Sequence, residues 1–230
     1  MRGHGSTTLP ANHYELKSWF QYKEDLEKIL EIKNKPSVLV GHSMGGTASL
    51  LLAYARPDLV SKVILIDPVI LSYSYRFFYK LLQNTGLMKM HPMVRGALMR
   101  RNSWKDQDEA VEYFKNKRLF KNIPDKIIKD YVRGGLKKNN QQIYELWCQP
   151  KWEAANFKLS PDEIGFNLKK SNIPIKLILT PNSIVCNERS QKKLRLLMPQ
   201  IEIAIINNTS HMLPLEDVDA VSEEINKFLL

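Results

Sequence analysis

The chain has 230 residues, of which 43% are hydrophobic and 25% are charged. This length and composition are typical of a globular protein and exclude disordered, collagen-like and coiled-coil classes. Its 34 Lys and Arg residues exceed its 24 Asp and Glu residues, and the resulting formal net charge of +10 favours anionic partners or substrates.

Strands and helices alternate in the first third of the chain. Apolar residues at three- and four-residue steps predict an amphipathic helix over residues 14–32. A β-branched apolar run at 37–40 predicts a buried strand, and a Gly-rich turn separates it from a helix predicted at 47–55. A second buried strand is predicted at 62–67. Two such strands around one helix form a βαβ unit, which indicates a parallel sheet covered on both faces.

The middle of the chain has a different pattern. Residues 72–166 are rich in Met, Trp, Tyr and basic residues, have helical periodicity and lack a strong strand pattern. Asn122-Ile-Pro-Asp125 and Leu159-Ser-Pro-Asp162 are typical of helix starts with Pro in the first turn. We therefore predict an α/β core formed by residues 1–71 and 167–230, interrupted by a helical insertion at 72–166. The elements predicted after the insertion are a strand at 175–179, a helix at 188–197, a strand at 201–206 and a closing amphipathic helix.

The Gly-rich turn carries the first candidate for chemistry. Gly41-His42-Ser43-Met44-Gly45 fits the pattern G-x-S-x-G between a predicted strand and a predicted helix. That context is typical of a nucleophile elbow, a strained turn that presents a serine hydroxyl at the carboxyl end of a sheet. We expect Gly41 and Gly45 to be needed for their small size, and the Met44 N–H to serve as an oxyanion donor at the helix start. The alternative is a structural Gly-rich turn without chemistry.

A serine nucleophile needs a general base, and the chain has five histidines. His211 follows the strand predicted at 201–206, so it lies at the edge where α/β sheets bind ligands. We therefore predict His211 as the base, the alternative being a surface-loop histidine. The histidine adjacent to Ser43 is expected to point away into the sheet. The remaining histidines are His4, His13, His42 and His91.

The acid that orients His211 could follow either of two predicted strands, the one at 175–179 or the one at 62–67. The turn after the strand at 175–179 has no carboxylate before Glu188. Asp67 ends the strand next to the elbow strand and keeps the chain order nucleophile, acid, base. Asp67 is therefore predicted as the acid. The alternative is that Asp67 only caps a helix or turn before Pro68. We interpret Glu188 as a helix-start residue and Glu216 as a surface residue of the last helix.

The elbow, together with residues 210–217 and the closing helix, resembles the α/β-hydrolase superfamily. The strand at 62–67 resembles the family's strand after the nucleophile helix, and the insertion lies where the family carries its cap. Cys148-Gln-Pro-Lys-Trp-Glu-Ala154 is similar to capped members such as fungal peroxisomal lipases, in which the acid can follow that strand, and this favours Asp67. The resemblance implies an α/β-hydrolase-type, mostly parallel sheet with helices on both faces and a helical cap.

The resemblance also implies missing parts. Arg2-Gly-His-Gly-Ser6 resembles the segment after the family's fourth strand, so the N-terminal part of the sheet is expected to be missing. The second oxyanion donor, from the loop after the third strand, is then absent. Without a neighbour, the elbow strand is expected to form a hydrophobic sheet edge. The alternative to an active hydrolase is therefore a shortened gene product that is weakly active or inactive even with its triad intact.

Together these residues predict a serine hydrolase of carboxylic (acyl) esters that uses Ser43, His211 and Asp67. The insertion, rich in Met, Phe and Trp, favours apolar small-molecule or lipid substrates. The alternative is a catalytically weak or inactive truncated homologue that acts as a binding protein. Lipase, esterase, thioesterase and acyltransferase chemistry are not distinguished by these residues, and neither a metal nor an organic cofactor is implied.

The remaining predictions concern partners and location. Residues 68–105 contain seven Lys or Arg residues and no Asp or Glu. This is compatible with peripheral membrane contact, and the alternative is a solvated helical surface without a partner. No base-reading motif supports nucleic-acid binding. No apolar run approaches the ~18–20 residues of a membrane helix, and residues 1–8 lack the apolar region of a signal peptide. We therefore predict a cytoplasmic protein without an integral membrane segment. Cys148 and Cys186 provide neither a disulfide framework nor zinc-ligand spacing.

Overall fold

The computed structural model describes residues 1–159 and 171–230, which form two compact units. The α/β unit comprises Ser18–Leu81 and the described part of Ser160–Leu230, and the helical unit comprises Met1–Lys17 and Leu82–Leu159. The strands are β1 Ser37–His42, β2 Val60–Ile66, β3 Ser103–Trp104, β4 Leu136–Lys138, β5 Tyr144–Leu146, β6 Ile175–Leu179 and β7 Glu202–Ile205. The helices are α1 Phe20–Lys33, α2 Met44–Ala55, α3 Tyr73–Asn84, α4 Pro92–Leu98, α5 Gln107–Lys115, α6 Asp125–Gly135, α7 Pro150–Phe157, α8 Glu188–Leu197, α9 Leu213–Glu216 and α10 Val218–Leu229.

A four-stranded parallel sheet with the order β1-β2-β6-β7 forms the centre of the α/β unit. Successive side chains of a strand point to opposite faces, so Val63 and Leu65 enter one hydrophobic core while Ile64 and Ile66 enter another. Apolar residues of α1, α2 and α8 complete the first core, and α10 contributes Val221 to the second. The predicted parallel sheet with helices on both faces is confirmed.

Strand β1 lies at one end of this sheet, and among the described residues it pairs with β2 alone. The side chains of Val38 and Val40 are exposed on it, whereas all of β6, which has a strand on either side, is buried. Burial of apolar side chains stabilises a strand in proportion to the area removed from water. The described part of the chain therefore has the hydrophobic sheet edge that the sequence predicts.

Two elements have the predicted bounds, and the start of α1 differs most from its prediction, for a clear local reason. β6 and α8 have the predicted bounds, but α1 begins at Phe20 rather than at residue 14. The Asn12 side chain accepts a hydrogen bond from the Tyr14 N–H, and the Glu15 N–H donates to the Asn12 carbonyl. This turn competes with a helix at the same residues. The helix start predicted at Leu159-Ser-Pro-Asp162 lies largely outside the described residues.

The helical unit contains α4 to α7 and also a small antiparallel sheet with the order β3-β5-β4. The sequence of this region has no strong strand pattern because strands of two or three residues are too short to produce an alternating one. Aromatic side chains fill the interior of the unit, with Phe114 in ring contact with Trp104 and Phe120. Within the described residues, no helix of either unit combines the length and the apolar character needed to cross a membrane.

The unit boundaries differ from the predicted division at residue 71. Residues 1–17 belong to the helical unit instead of the α/β core. Close packing accounts for this, since a Cβ atom on Gly3 would lie only 2.1 Å from Nε1 of Trp152. Gly3 also has a φ of +71°, a conformation that glycine adopts without strain. Such long-range packing leaves no periodic signal in the sequence.

Candidate active site

Ser43 lies in a strained turn between β1 and α2. Its φ of +54° and ψ of −121° are rare for a residue with a side chain, and its N–H donates to the Ile66 carbonyl at 2.9 Å. A backbone held in such a conformation is characteristic of functional turns. The structure therefore gives Ser43 the elbow geometry that the sequence predicts.

The glycines of the elbow have unequal roles. A Cβ atom on Gly41 would lie 2.5 Å from the Gly45 carbonyl carbon, so this position has no room for a side chain. A Cβ on Gly46 would lie 2.8 Å from the Gly41 carbonyl oxygen. At Gly45, by contrast, a Cβ would meet no other described atom within 4 Å outside its own helix backbone and chain neighbours. The expectation that Gly45 is needed for its size was wrong, and the close approach involves Gly41 and Gly46.

His211 connects the serine to a buried carboxylate. The Ser43 hydroxyl lies 2.9 Å from His211 Nε2, and His211 Nδ1 lies 2.6 Å from Asp67 Oδ2. Because a carboxylate only accepts hydrogen bonds, Nδ1 carries the proton and Nε2 is left to accept from the serine. The structure thus brings the three predicted residues together in the order Ser43, His211, Asp67.

Asp67 is held at the carboxyl end of β2 by its own backbone. Its φ is +39°, its N–H donates to the Ile178 carbonyl at 2.8 Å, and its side chain is 1% exposed. The nearby Cys186 thiol is also buried, and its pKa is raised to about 12, first by burial and then by the charge of Asp67. A buried carboxylate that faces an imidazole favours the charged form of that imidazole. Asp67 therefore has the position needed to stabilise a protonated His211.

Two neighbouring elements hold the backbone around His211. The Glu216 carboxylate in α9 accepts hydrogen bonds from the Ser210 N–H at 2.5 Å and the Ser210 hydroxyl at 2.7 Å. The Thr180 hydroxyl, directly after β6, donates to the Thr209 carbonyl at 2.5 Å. The interpretation of Glu216 as a surface residue of the last helix was wrong. Its spacing from Ser210 in the sequence gives no sign of this contact, which depends on the tight turn before α9.

His42 makes a contact that the sequence did not predict. Its Nε2 atom donates to the His211 carbonyl at 2.7 Å, and the centres of the two imidazole rings are 4.9 Å apart. The expectation that His42 points away into the sheet was therefore wrong. Burial lowers the pKa of His42 below its usual 6.5, and the neighbouring His211 lowers it further. A neutral His42 thus links the elbow to the turn that carries His211.

Thr47 links the elbow to the turn that carries Asp67. This buried residue in α2 accepts a hydrogen bond from the Val69 N–H at 3.1 Å, and its hydroxyl lies 3.0 Å from the Val69 carbonyl. The Thr47 N–H also donates to the Ser43 carbonyl at 3.1 Å. The relative positions of Ser43 and Asp67 are therefore fixed by a polar contact as well as by the pairing of β1 with β2.

The remaining residues that the sequence singled out are Met44, Glu188 and three histidines. Met44 is the first residue of α2, where a backbone N–H has no carbonyl partner inside the helix and is available to an anion. Glu188 is exposed at the start of α8, as its interpretation as a helix-start residue requires. In the described part of the chain, no group of three or more His, Cys, Asp or Glu side chains is arranged to hold a metal ion. The histidines of the helical unit are His4, His13 and His91.

Comparisons with known proteins agree on one fold. A family model described as alpha/beta hydrolase fold matches residues 1–126. The Bacillus subtilis protein named uncharacterized hydrolase YugF is 28% identical over 202 residues, which are 87% of this chain and 68% of that protein. A Mycoplasma pneumoniae protein named putative esterase/lipase 3 is 35% identical over 118 residues, which are 49% of this chain and 32% of that protein.

Among solved structures, the peroxisomal alpha-beta-hydrolase Lpx1 of Saccharomyces cerevisiae has a TM-score of 0.72 at 20% sequence identity. The match covers 99% of this chain and 64% of that chain. It confirms, at the level of the fold, the predicted similarity to fungal peroxisomal members. The chain spans about two thirds of the length of YugF and of Lpx1.

Proposed function

The chain belongs to the α/β hydrolase fold family, and on that premise we propose that it is a serine hydrolase of carboxylic (acyl) esters. The observation that carries the proposal is the continuous hydrogen-bonded arrangement of Ser43, His211 and Asp67, with distances of 2.9 and 2.6 Å. A nucleophile, a base and an orienting acid are the three groups that the Ser-His-Asp mechanism uses, and this geometry supports it. Relatives named hydrolase and putative esterase/lipase support the reaction class.

In the proposed reaction, Ser43 Oγ attacks the acyl carbonyl carbon while its proton passes to His211 Nε2. The Met44 N–H donates to the oxyanion of the tetrahedral intermediate. The alcohol then leaves with the proton from His211, and an acyl-Ser43 ester remains. A water molecule gives a proton to His211 and attacks this ester. His211 then returns that proton to Ser43 Oγ as the carbon–Oγ bond breaks, which releases the carboxylic acid and restores the serine. Asp67 keeps the Nδ1 proton in place throughout and stabilises the imidazolium.

The substrate we propose is an apolar small-molecule or lipid ester. The name of the Mycoplasma relative supports an ester or lipid substrate. We retain a cytoplasmic location as a prediction of the sequence. The alternative function is a catalytically weak or inactive homologue that acts as a binding protein. It predicts that soluble and folded chain hydrolyses esters slowly or not at all.

Hydrolysis of p-nitrophenyl esters of short and medium chain length tests the proposal. We expect Ser43→Ala to lower kcat by roughly 10⁵- to 10⁶-fold, because no other group replaces the nucleophile. Ser61→Ala, which removes an exposed hydroxyl from β2 in the same unit, is the matched control and should hydrolyse the esters as the wild type does. Equal hydrolysis by Ser43→Ala and wild type would overturn the serine mechanism. No hydrolysis by folded wild type would favour the binding protein.

A further inference from the structure

Helix α3 carries large apolar side chains on the face opposite its buried side. Arg76 and Tyr79 are the buried residues of the helix. Tyr73, Phe77, Phe78 and Leu81 lie on the other side of the helical circumference, and all four are exposed, with Phe77 at 65% and Phe78 at 55%. We call these four residues the aromatic face of α3. Three neighbouring exposed aromatic rings are unusual on a water-facing helix. Contiguous apolar surface of this kind marks a site of interaction.

The charged residues of α3 and of the sequence that follows it up to residue 105 have one sign. Residues 68–105 contain no Asp or Glu, and Lys80 of α3 is exposed. Lys89 and Arg95, in the helical unit, are exposed as well, and among the described residues no carboxylate forms an ion pair with any of these three cations. An uncompensated positive charge beside exposed apolar side chains excludes a basic partner and complements an anionic one.

The segment after α3 has the same composition within the helical unit. Its exposed apolar residues are flexible and unbranched at Cβ, and they alternate with the cations rather than with carboxylates. A helix with aromatic and aliphatic residues on one face and Lys or Arg nearby is the composition of segments that lie in the interface of a bilayer. The exposed apolar residues of this segment are Leu87, Met90, Met93, Leu98 and Met99.

We propose that the aromatic face of α3 docks on the surface of a membrane that contains anionic lipids. Phe77, Phe78 and Leu81 enter the boundary between head groups and acyl chains, and the Tyr73 ring, which has both an apolar body and a hydroxyl, stays at the level of the head groups. Lys80 contacts the anionic head groups. The docking does not require Ser43 and goes beyond the proposed esterase reaction.

The test is co-sedimentation with phosphatidylcholine vesicles prepared with and without phosphatidylserine, at low and at physiological salt. We expect the wild type to bind the phosphatidylserine vesicles more tightly. Phe77→Ser/Phe78→Ser should weaken this binding by about tenfold or more, because two large apolar side chains no longer leave water. Lys80→Gln should weaken it by about fivefold on anionic vesicles only.

The matched control is Ile32→Ser/Leu196→Ser. These side chains are 85% and 76% exposed, more than Phe77 and Phe78, but lie on α1 and α8. The control should bind the vesicles as the wild type does. Equal loss of binding in both double variants would overturn the proposal, as would binding that salt removes and that neither double variant changes. Absence of wild-type binding to either vesicle would also overturn it.

Two further measurements keep the result interpretable. Phe77→Trp/Phe78→Trp preserves the apolar face and should bind at least as tightly as the wild type, with a blue shift of the added tryptophan emission on anionic vesicles. If the serine variant does not fold, absence of that shift overturns the proposal.

Self-association that the serine variant abolishes, without any vesicle binding, would assign the face to a second copy of the chain. Ser43→Ala should bind vesicles normally, so failure of the esterase reaction and failure of the docking are distinguishable.

Discussion

The turns that follow β2 and β6 are neighbours in the sheet, yet they contribute different things to the same histidine. The turn after β2 provides the carboxylate of Asp67, 2.6 Å from the His211 ring. The turn after β6 has no carboxylate, and its Thr180 hydroxyl holds the backbone at Thr209, two residues before His211. One turn contacts the imidazole ring itself, and the other holds the backbone next to the residue that carries the ring.

This difference shows that the position of a turn at the sheet edge decides whether it reaches His211. The type of side chain in the turn decides which contact it makes there. β2 and β6 are parallel and adjacent, so their carboxyl ends lie at the same edge. The left-handed backbone of Asp67, with φ +39°, places its buried carboxylate against Nδ1 at the edge of the His211 ring. An acid is therefore not needed after β6, and the turn there instead holds the backbone at Thr209 through the Thr180 hydroxyl.

The largest expected effect comes from removing the charge of the first turn. We expect Asp67→Asn to lower kcat by roughly 10⁴-fold, because the amide no longer holds the Nδ1 proton and the productive tautomer of His211. Glu188→Gln changes the first carboxylate after β6 in the same way and should leave kcat unchanged. Steady-state hydrolysis of a p-nitrophenyl ester measures both. A loss of less than about tenfold in Asp67→Asn would assign Asp67 a capping role.

A smaller effect is expected from the second turn. Thr180→Val keeps the shape of the side chain but leaves the Thr209 carbonyl without its donor, at a cost of about 1–3 kcal/mol. We expect kcat to fall by about tenfold with little change in KM, since the histidine is less well placed. Thr180→Ser restores the hydroxyl and should recover most of the lost rate. Equal rates for the Val and Ser variants would show that this hydrogen bond does not position His211.

The smallest effect concerns His42, which supports the same histidine from the elbow. Because burial lowers its pKa in the folded chain, the unfolded chain takes up a proton first as the pH falls below 6.5. The free energy of unfolding should therefore decrease as the pH falls through the lowered pKa. His42→Gln keeps a donor without ionising, so its free energy of unfolding should fall less than that of the wild type between pH 7 and pH 5. Urea titrations at the two pH values measure this, and equal losses would contradict a neutral, half-buried His42.

The sequence predicted what depends on local pattern. The apolar strands, the helix after Ser43 and the chain order Ser43, Asp67, His211 are visible because each lies within a short segment of regular periodicity or at its end. The supports of the site were not predicted, since the contacts of His42 and Glu216 depend on how distant turns meet. The small sheet of the helical unit was missed because its strands are too short for a pattern.

The most direct test of the account is the reaction of the chain with a fluorophosphonate, followed by intact mass and peptide mapping. This probe depends on an activated serine and not on knowledge of the substrate. We predict a single adduct on Ser43, formed much more slowly in Asp67→Asn and at the wild-type rate in Glu188→Gln. An adduct on another residue, or equally rapid labelling of Asp67→Asn, would contradict the claim that Asp67 activates Ser43 through His211.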